Sequence, residues 1–318
     1  MGNLHKYYYK VRPFIPRTVQ IGLRRRITRK KFAEHAGDNG TWPIDEEAAK
    51  TPPGWPGWPD GKQFALVLTH DVDTLAGHNR CIMLSKIEEE RGLRSSFNFV
   101  PERYPLTIEL LSDLMDRGFE VGVHGLYHDG RLYDSREEFL QRAEKINKYL
   151  RQWGAVGFRS PAMQHNLDWI HDLHIEYDAS TFDTDPFEPQ PDGAKTIFPF
   201  WVNENGAGKG YMELPYTLAQ DFTLFVLLKQ RNTEIWERKL DWIAENGGLA
   251  LLNSHPDYMC FKETRQKCDE YPIDYYVRFL DLIQSKFHDT YWHALPKNAA
   301  RYCKPHAENH KKVGGGKL

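Results

Sequence analysis

F-A-L-V-L-T-H-D-V-D, Phe64 to Asp73, opens as an apolar run about the length of one buried strand and closes in two carboxylates. In an extended chain, residues i and i+2 project to the same side. Asp71 and Asp73 are therefore expected to leave the strand end together, with His70 and Val72 facing the other way. A strand buried on both faces that delivers two acids at its C-terminal end suits an α/β enzyme. A helix-capping Asp ahead of Thr74 would explain one of the pair. Two acids on one side need a cation or a proton between them, because like charges that close repel.

Outward from this stretch, strand and helix patterns alternate. Strand Phe64–Thr69 leads into helix Asn79–Arg91, strand Ser95–Val100 into helix Thr107–Arg117, and strand Phe119–Val123 into helix Ser135–Gln152. Short strand Val156–Arg159, helix Asn166–Leu173 and strand Glu176–Thr181 follow. After a Pro- and Gly-rich stretch, Ile197–Val202 and Tyr211–Leu214 read as strands, then helix Glu234–Glu245, strand Leu249–Asn253 and helix Ile273–Lys286. This spacing predicts a mostly parallel sheet with right-handed crossovers. About seven such units favour a closed or nearly closed barrel over an open sheet.

The flanks differ in composition. Residues 1–60 read as a basic amphipathic extension and a Pro/Trp-rich linker, 61–303 as the barrel, and 304–318 as a flexible tail. Residues 1–33 contain no acid at all, and Val19, Leu23 and Ile27 recur at helical spacing among arginines. Such a helix can lie on an anionic membrane, or it can dock on the main domain by its apolar stripe. T-P-P-G-W-P-G-W-P-D, Thr51 to Asp60, cannot be a helix or a central strand, and Trp55 and Trp58 could pin it to a surface. A net charge of -2 over 318 residues argues against a nucleic-acid partner. No apolar run approaches the ~20 residues of a membrane span. The four cysteines form no C-x-x-C pair. With no secretory apolar segment visible, the expectation is a cytoplasmic protein with free thiols, peripheral at the inner membrane face through residues 1–33.

In a parallel barrel, chemistry sits at the C-terminal strand ends. There the sequence delivers Asp71 and Asp73, then His124 and His128 in H-G-L-Y-H, then Arg159 in R-S-P, then Asp178 and Asp183, and lastly His255 in L-N-S-H-P. One carboxylate with two imidazoles is a normal three-ligand set for a catalytic Zn²⁺, leaving a position for water.

T-H-D-V-D, H-G-L-Y-H, F-R-S-P-A, Y-D-A-S-T-F-D and L-N-S-H-P stand in the order and rough spacing of five motifs, and the chain from Phe64 to Pro256 resembles the polysaccharide deacetylase family (carbohydrate esterase family 4, the NodB-homology fold). The resemblance implies a distorted (β/α) barrel and removal of an N-acetyl group from an amino sugar in a glycan or glycan precursor. It also implies a division of roles. Asp71 resembles the base, Asp73, His124 and His128 the ligands of one divalent metal ion, and Arg159 the arginine that orients the base. The Ala162 N–H resembles an oxyanion donor and His255 the general acid, tuned by Asp183 or, second, Asp178. Three departures stand out. The first motif is D-x-D rather than two adjacent aspartates, and Phe182 or Phe187 stands where a tryptophan is usual. The residue expected to line an acetyl-methyl pocket is Asn253, with Leu252 one position further back. Tyr127, Leu252 and Tyr258 are the candidate substrate contacts, with Tyr133 and Trp169 as further stacking candidates. Three rival readings exist: a glycosyltransferase using D-x-D, a hydrolase of non-sugar amides such as ureide rings, and a catalytically inactive membrane-docked scaffold in glycan assembly.

Overall fold

Strand β1, Phe64–Val72, is buried along its whole length, because both of its faces are covered. In the computed structural model, which describes residues 15–36, 42–203, 209–261 and 265–309, it is the strand to which both edges of the sheet return. Helix α1 (Arg17–His35) precedes it, and the short helix α2 (Leu75–His78) and α3 (Cys81–Glu89) follow. Then β2 (Ser96–Phe99), α4 (Ile108–Asp116), β3 (Glu120–His124), α5 (Arg136–Trp153), β4 (Gly157–Arg159), α6 (Leu167–Ile170) and β5 (Tyr177–Asp178) alternate as expected. Strands β6 (Phe200–Asn203) and β7 (Gly210–Glu213) form an antiparallel pair. A π-helix at Phe222–Leu227, helix α7 (Glu234–Asn246), β8 (Leu249–Ser254), the small pair β9 (Met259–Cys260) and β10 (Tyr271–Pro272), α8 (Asp274–Lys286), β11 (Tyr291–His293) and α9 (Pro296–Asn309) complete the order.

The parallel ladder runs β1–β2–β3–β4–β5–β7, and β8 pairs β1 on its other edge. Single parallel bridges from Phe182 to Tyr216 and from Leu218 to Leu252 join β5, the continuation of β7 and β8, closing the ring. The result is a distorted barrel in which β5 is only two residues long. Strand β11 adds to the first three residues of β1, and β6 runs antiparallel along the whole of β7.

Two separate cores follow from the two-residue period of the strands. Ala65, Val67, Ala179, Met212, Leu214, Leu249 and Leu251 point inward and fill the barrel, closed below by Ala299, Ala300 and Cys303 of α9 and by Trp58. Phe64, Leu66, Leu68, Phe97, Phe99, Val121, Val123 and Leu252 point outward under the helices. The Pro/Trp-rich stretch is a wrapped loop: the Trp58 indole N–H donates to the Gly247 carbonyl at 2.8 Å, and Trp55 packs edge-on against Trp58 and Phe198. Helix α9 continues past Lys304 to Asn309, so the first residues assigned from sequence to a flexible tail are helical. The rest of that tail lies outside the described residues.

Helix α1 docks on the barrel, but not by the stripe that the sequence suggests. Gln20, Ile21 and Thr28 are its buried residues. The Arg25 guanidinium donates to the carbonyls of Val226 and Cys268 at 2.9 and 2.6 Å, and Lys31 reaches the Pro186 carbonyl at 2.7 Å. Val19, Leu23 and Ile27 face solvent.

Candidate active site

The alternation that sends Ala65 and Val67 into the barrel also sends Asp71 inward and His70 outward. His70 lies under α3, between the Ser254 hydroxyl at 2.9 Å and Glu88 at 2.7 Å, and takes no part in the site. Helix α2 is capped by the Thr74 hydroxyl, which accepts from the Ala76 N–H at 3.2 Å. Neither aspartate is used as the cap.

Asp73, His124 and His128 converge so closely that one ligand atom from each lies within 4.8 Å of the others. Asp73 Oδ1 stands 2.9 Å from His128 Nε2 and 3.4 Å from His124 Nε2. His124 ends β3, and its Nδ1 lies 3.0 Å from the Arg159 carbonyl, which makes Nδ1 the protonated nitrogen and leaves the Nε2 lone pair facing Asp73. His128 follows in a turn with φ 54°. Gly125, at φ +64°, makes this turn possible: a Cβ there would meet Pro161 Cγ at 2.5 Å, so only glycine lets the two loops approach. Asp73 Oδ1 is buried with no hydrogen-bond donor among the described residues. A buried carboxylate oxygen facing the Nε2 atoms of two imidazoles is a donor set that fits a divalent cation.

Asp71 sits beside this triad, 3.8 Å from His124 Nε2. Its carboxylate accepts from the amides of Asn98 and Asn253, both at 2.9 Å, and from Arg159 at 3.3 Å. Burial alone would raise its pKa, but His124, Arg159, His255 and Asn98 outweigh burial and hold it down at about 2. The Arg159 guanidinium is itself fixed by the Thr69 hydroxyl at 2.7 Å, the Asn253 side-chain oxygen Oδ1 at 2.6 Å and the Ala179 backbone carbonyl at 2.7 Å. Asn253 thus bridges Asp71 and Arg159, a contact that its position in the last motif did not announce. Immediately after Arg159, Ala162 and Met163 stand in the left-handed region at φ 55° and 51°, a strained conformation of the kind that gathers at functional sites.

His255 arrives from the end of β8, and its Nδ1 is 2.7 Å from Asp221 Oδ1. Burial would lower its pKa, but Asp221, Asp73 and Asp71 raise it to about 10. Asp221 is the partner of His255 that sequence reasoning missed. Asp183, the preferred partner from sequence, is instead bound to Lys239 Nζ at 2.5 Å, and Asp178 accepts from the Ser180 hydroxyl at 2.6 Å. The reason is directional: Asp221 opens the π-helix, where its carboxylate takes the His255 N–H at 2.9 Å and the Tyr271 hydroxyl at 3.0 Å. An acid fully buried at the head of the apolar run F-T-L-F-V-L-L had to have such partners, and that was the available signal. Asp257 is a second omission: it accepts the Asp73 N–H at 2.9 Å and the Thr74 hydroxyl, tying the first motif to the last.

Of the three substrate contacts expected from sequence, Tyr258 reaches the site, with its hydroxyl 3.4 Å from Asp73 Oδ2 and its ring 5.2 Å from that of His255. Leu252 does not, because strand alternation places it in the outer core opposite Leu68. Tyr127 is turned toward α5, with its hydroxyl 2.9 Å from Lys145 and Arg142 over its ring. Tyr133 and Trp169 stack with each other and pack against the outer core.

The architecture matches solved structures at high confidence and low identity. A protein described as a polysaccharide deacetylase from Mycobacterium smegmatis superposes with a TM-score of 0.59 at 18% identity, covering 80% of this chain and 95% of that one. A second so described, from Pseudomonas aeruginosa PAO1, gives 0.57 at 18% identity, covering 84% and 99%. This chain has the polysaccharide deacetylase fold. The same fold also matches an allantoinase, Puue, with a TM-score of 0.58 at 15% identity over 84% of this chain and 99% of that one. Compared by sequence, the chain matches no family model and no curated protein. Among the described residues of this deacetylase fold, no helix is long and apolar enough to cross a membrane.

Proposed function

We propose that this chain is a metal-dependent hydrolase that removes an N-acetyl group from an N-acetylated amino sugar in a glycan or glycan precursor. The observation that carries the reading is an ionised carboxylate, Asp71, beside the ligand triad, together with an imidazole, His255, that is held by Asp221 and kept protonated by Asp221, Asp73 and Asp71. An amine leaves poorly unless it is protonated, so amide hydrolysis needs an acid as well as a base. Titratable groups whose surroundings push their pKa values apart are how such roles are divided.

Asp73, His124 and His128 would hold the ion, and a divalent cation there, Zn²⁺ by its donor set, supplies Lewis acidity to acyl and water oxygens. The rest falls to the chain's own groups. Asp71, ionised at any ordinary pH and held by Asn98, Asn253 and Arg159, takes a proton from the attacking water. The water oxygen bonds to the acyl carbon, and the backbone N–H of Ala162 serves in this proposal as the oxyanion donor. The C–N bond then breaks, and the His255 imidazolium gives its proton to the departing nitrogen while Asp221 steadies the ring. The products are acetate and a free amino sugar. Tyr258 at the site is the candidate sugar contact, and the basic N-terminal segment suits a lipid-linked substrate.

A second reading, hydrolysis of a non-sugar amide such as a ureide ring, is favoured by Asn253. Both ends of its amide are engaged by Arg159 and Asp71, so that position offers no apolar wall to an acetyl methyl. The allantoinase similarity points the same way. Acetate release from a panel of N-acetylhexosamine glycans, run beside cyclic amides with metal content determined on the same sample, separates the two. Acetate from the glycans supports the first reading, and ring opening without acetate release replaces it with the second.

A further inference from the structure

Helix α1 is docked by one face and bare on the other. Val19, Leu23 and Ile27 are 49%, 53% and 60% exposed and form a single stripe. Arg26, Arg29 and Lys30 are exposed beside that stripe. Arg26 and Arg29 have no ion-pair partner among the described residues, and Lys30 has only a solvated pair with Glu34 at 3.9 Å. The first acid in the sequence is that same Glu34, and the residues ahead of the helix add Lys6, Lys10 and Arg12. Single exposed apolar side chains are normal on a soluble protein, but an aliphatic stripe among unpaired cations is the composition of an interfacial helix.

The helix is also close to the chemistry. The Arg24 guanidinium lies 4.6 Å over the Phe222 ring, and Phe222 is 4.5 Å from Tyr258. The Tyr258 hydroxyl is the one that touches Asp73. At most two side chains therefore separate α1 from the ligand triad.

We propose that the outward face of α1 is the protein's seat on an anionic lipid surface, with Val19, Leu23 and Ile27 inserted and Arg26, Arg29 and Lys30 on the headgroups. Aliphatic side chains enter the acyl boundary, and cations meet the negative surface potential. A nucleic acid would complement the charge but not the aliphatic stripe. The seat places the site mouth at the headgroup layer, and the substrate class is a glycolipid with an acylated amino sugar. That last step rests on the hydrolase reading above.

The test sediments full-length protein with phosphatidylglycerol vesicles and with phosphatidylcholine vesicles, alongside L23E/I27E, R26E/K30E and D71N variants. The wild type and D71N are expected to bind phosphatidylglycerol only and to be released by salt. L23E/I27E is expected to lose binding, and R26E/K30E to bind at least about tenfold more weakly. Both α1 variants are expected to turn over a water-soluble acylated substrate like the wild type. Absence of wild-type binding, or wild-type binding by L23E/I27E, overturns the seat. So does a concentration-dependent dimer in light scattering that L23E/I27E dissolves, since the stripe would then belong to a second copy. Vesicle binding is read without turnover, so the seat and the hydrolase reading fail separately.

Discussion

At the residue scale, the proposed chemistry rests on one carboxylate held ionised, Asp71, and one imidazole held protonated, His255, in buried surroundings. Asp71→Asn keeps one acceptor oxygen for Asn98 and Arg159, loses the one that takes the Asn253 amide, and cannot take a proton. It is expected to retain metal and lose turnover by roughly 10²–10⁴-fold, the usual range for a general base, as read by acetate release. Asp221→Asn removes the carboxylate that contributes most to raising His255. A histidine with a raised pKa keeps its proton as pH climbs and loses it only near that value. The alkaline limb of the pH–rate profile therefore stands above the ordinary histidine range in the wild type and moves toward that range in the variant. An unmoved limb would detach Asp221 from catalysis. Asn253→Leu restores the apolar residue that the last motif usually carries, but it leaves Asp71 and Arg159 each short of a buried partner. Lower turnover with little change in KM is the expected result.

At the scale of elements, strand alternation decides which side chains are functional. Asp71, Asn253 and His255 point in, and His70, Leu252 and Ser254 point out. The same rule that made the acid pair legible should have excluded Leu252, since it sits an odd number of residues from His255. Asp221 was harder to find: it lies on a π-helix whose geometry no simple period marks, and its acid neighbours in the fourth motif are turned to Lys239 and Ser180. The Gly125 turn holds the two imidazoles in place. Gly125→Ala puts a Cβ into Pro161 at a positive φ, a strain of about 1–3 kcal/mol. It is expected to lower both the melting temperature in calorimetry and the metal affinity in titration. Helix α1 shows the limit of pattern reading: Val19, Leu23 and Ile27 make an apolar stripe, yet the helix docks through Gln20, Ile21 and Thr28, because polar partners on the barrel accept that face.

At the scale of the whole molecule, the barrel was legible because seven-odd parallel units leave few other closures, and the acid pair at the end of β1 marked the catalytic rim. What the sequence could not show is how the ring closes, through single bridges at Phe182 and Leu218 rather than full strands. The fold also buries acids outside the site. Glu188 is raised by burial and by Asp185 to about 8. The folded state thus holds this proton more tightly than the unfolded chain, and its contribution falls as pH rises from the ordinary carboxylate range toward about 8. Glu188→Gln is expected to flatten that decline in denaturant midpoints measured across the window.

The proposed chemistry needs one ion held by Asp73, His124 and His128, with Asp71 beside it and not among its ligands. Metal content and acetate release, measured together on wild type, Asp71→Asn and Asp73→Asn, test this most directly. The expected result is an equimolar divalent ion with turnover in the wild type, the ion without turnover in Asp71→Asn, and neither in Asp73→Asn. A wild type that is active without metal, or an Asp73→Asn variant that keeps its ion, would contradict it.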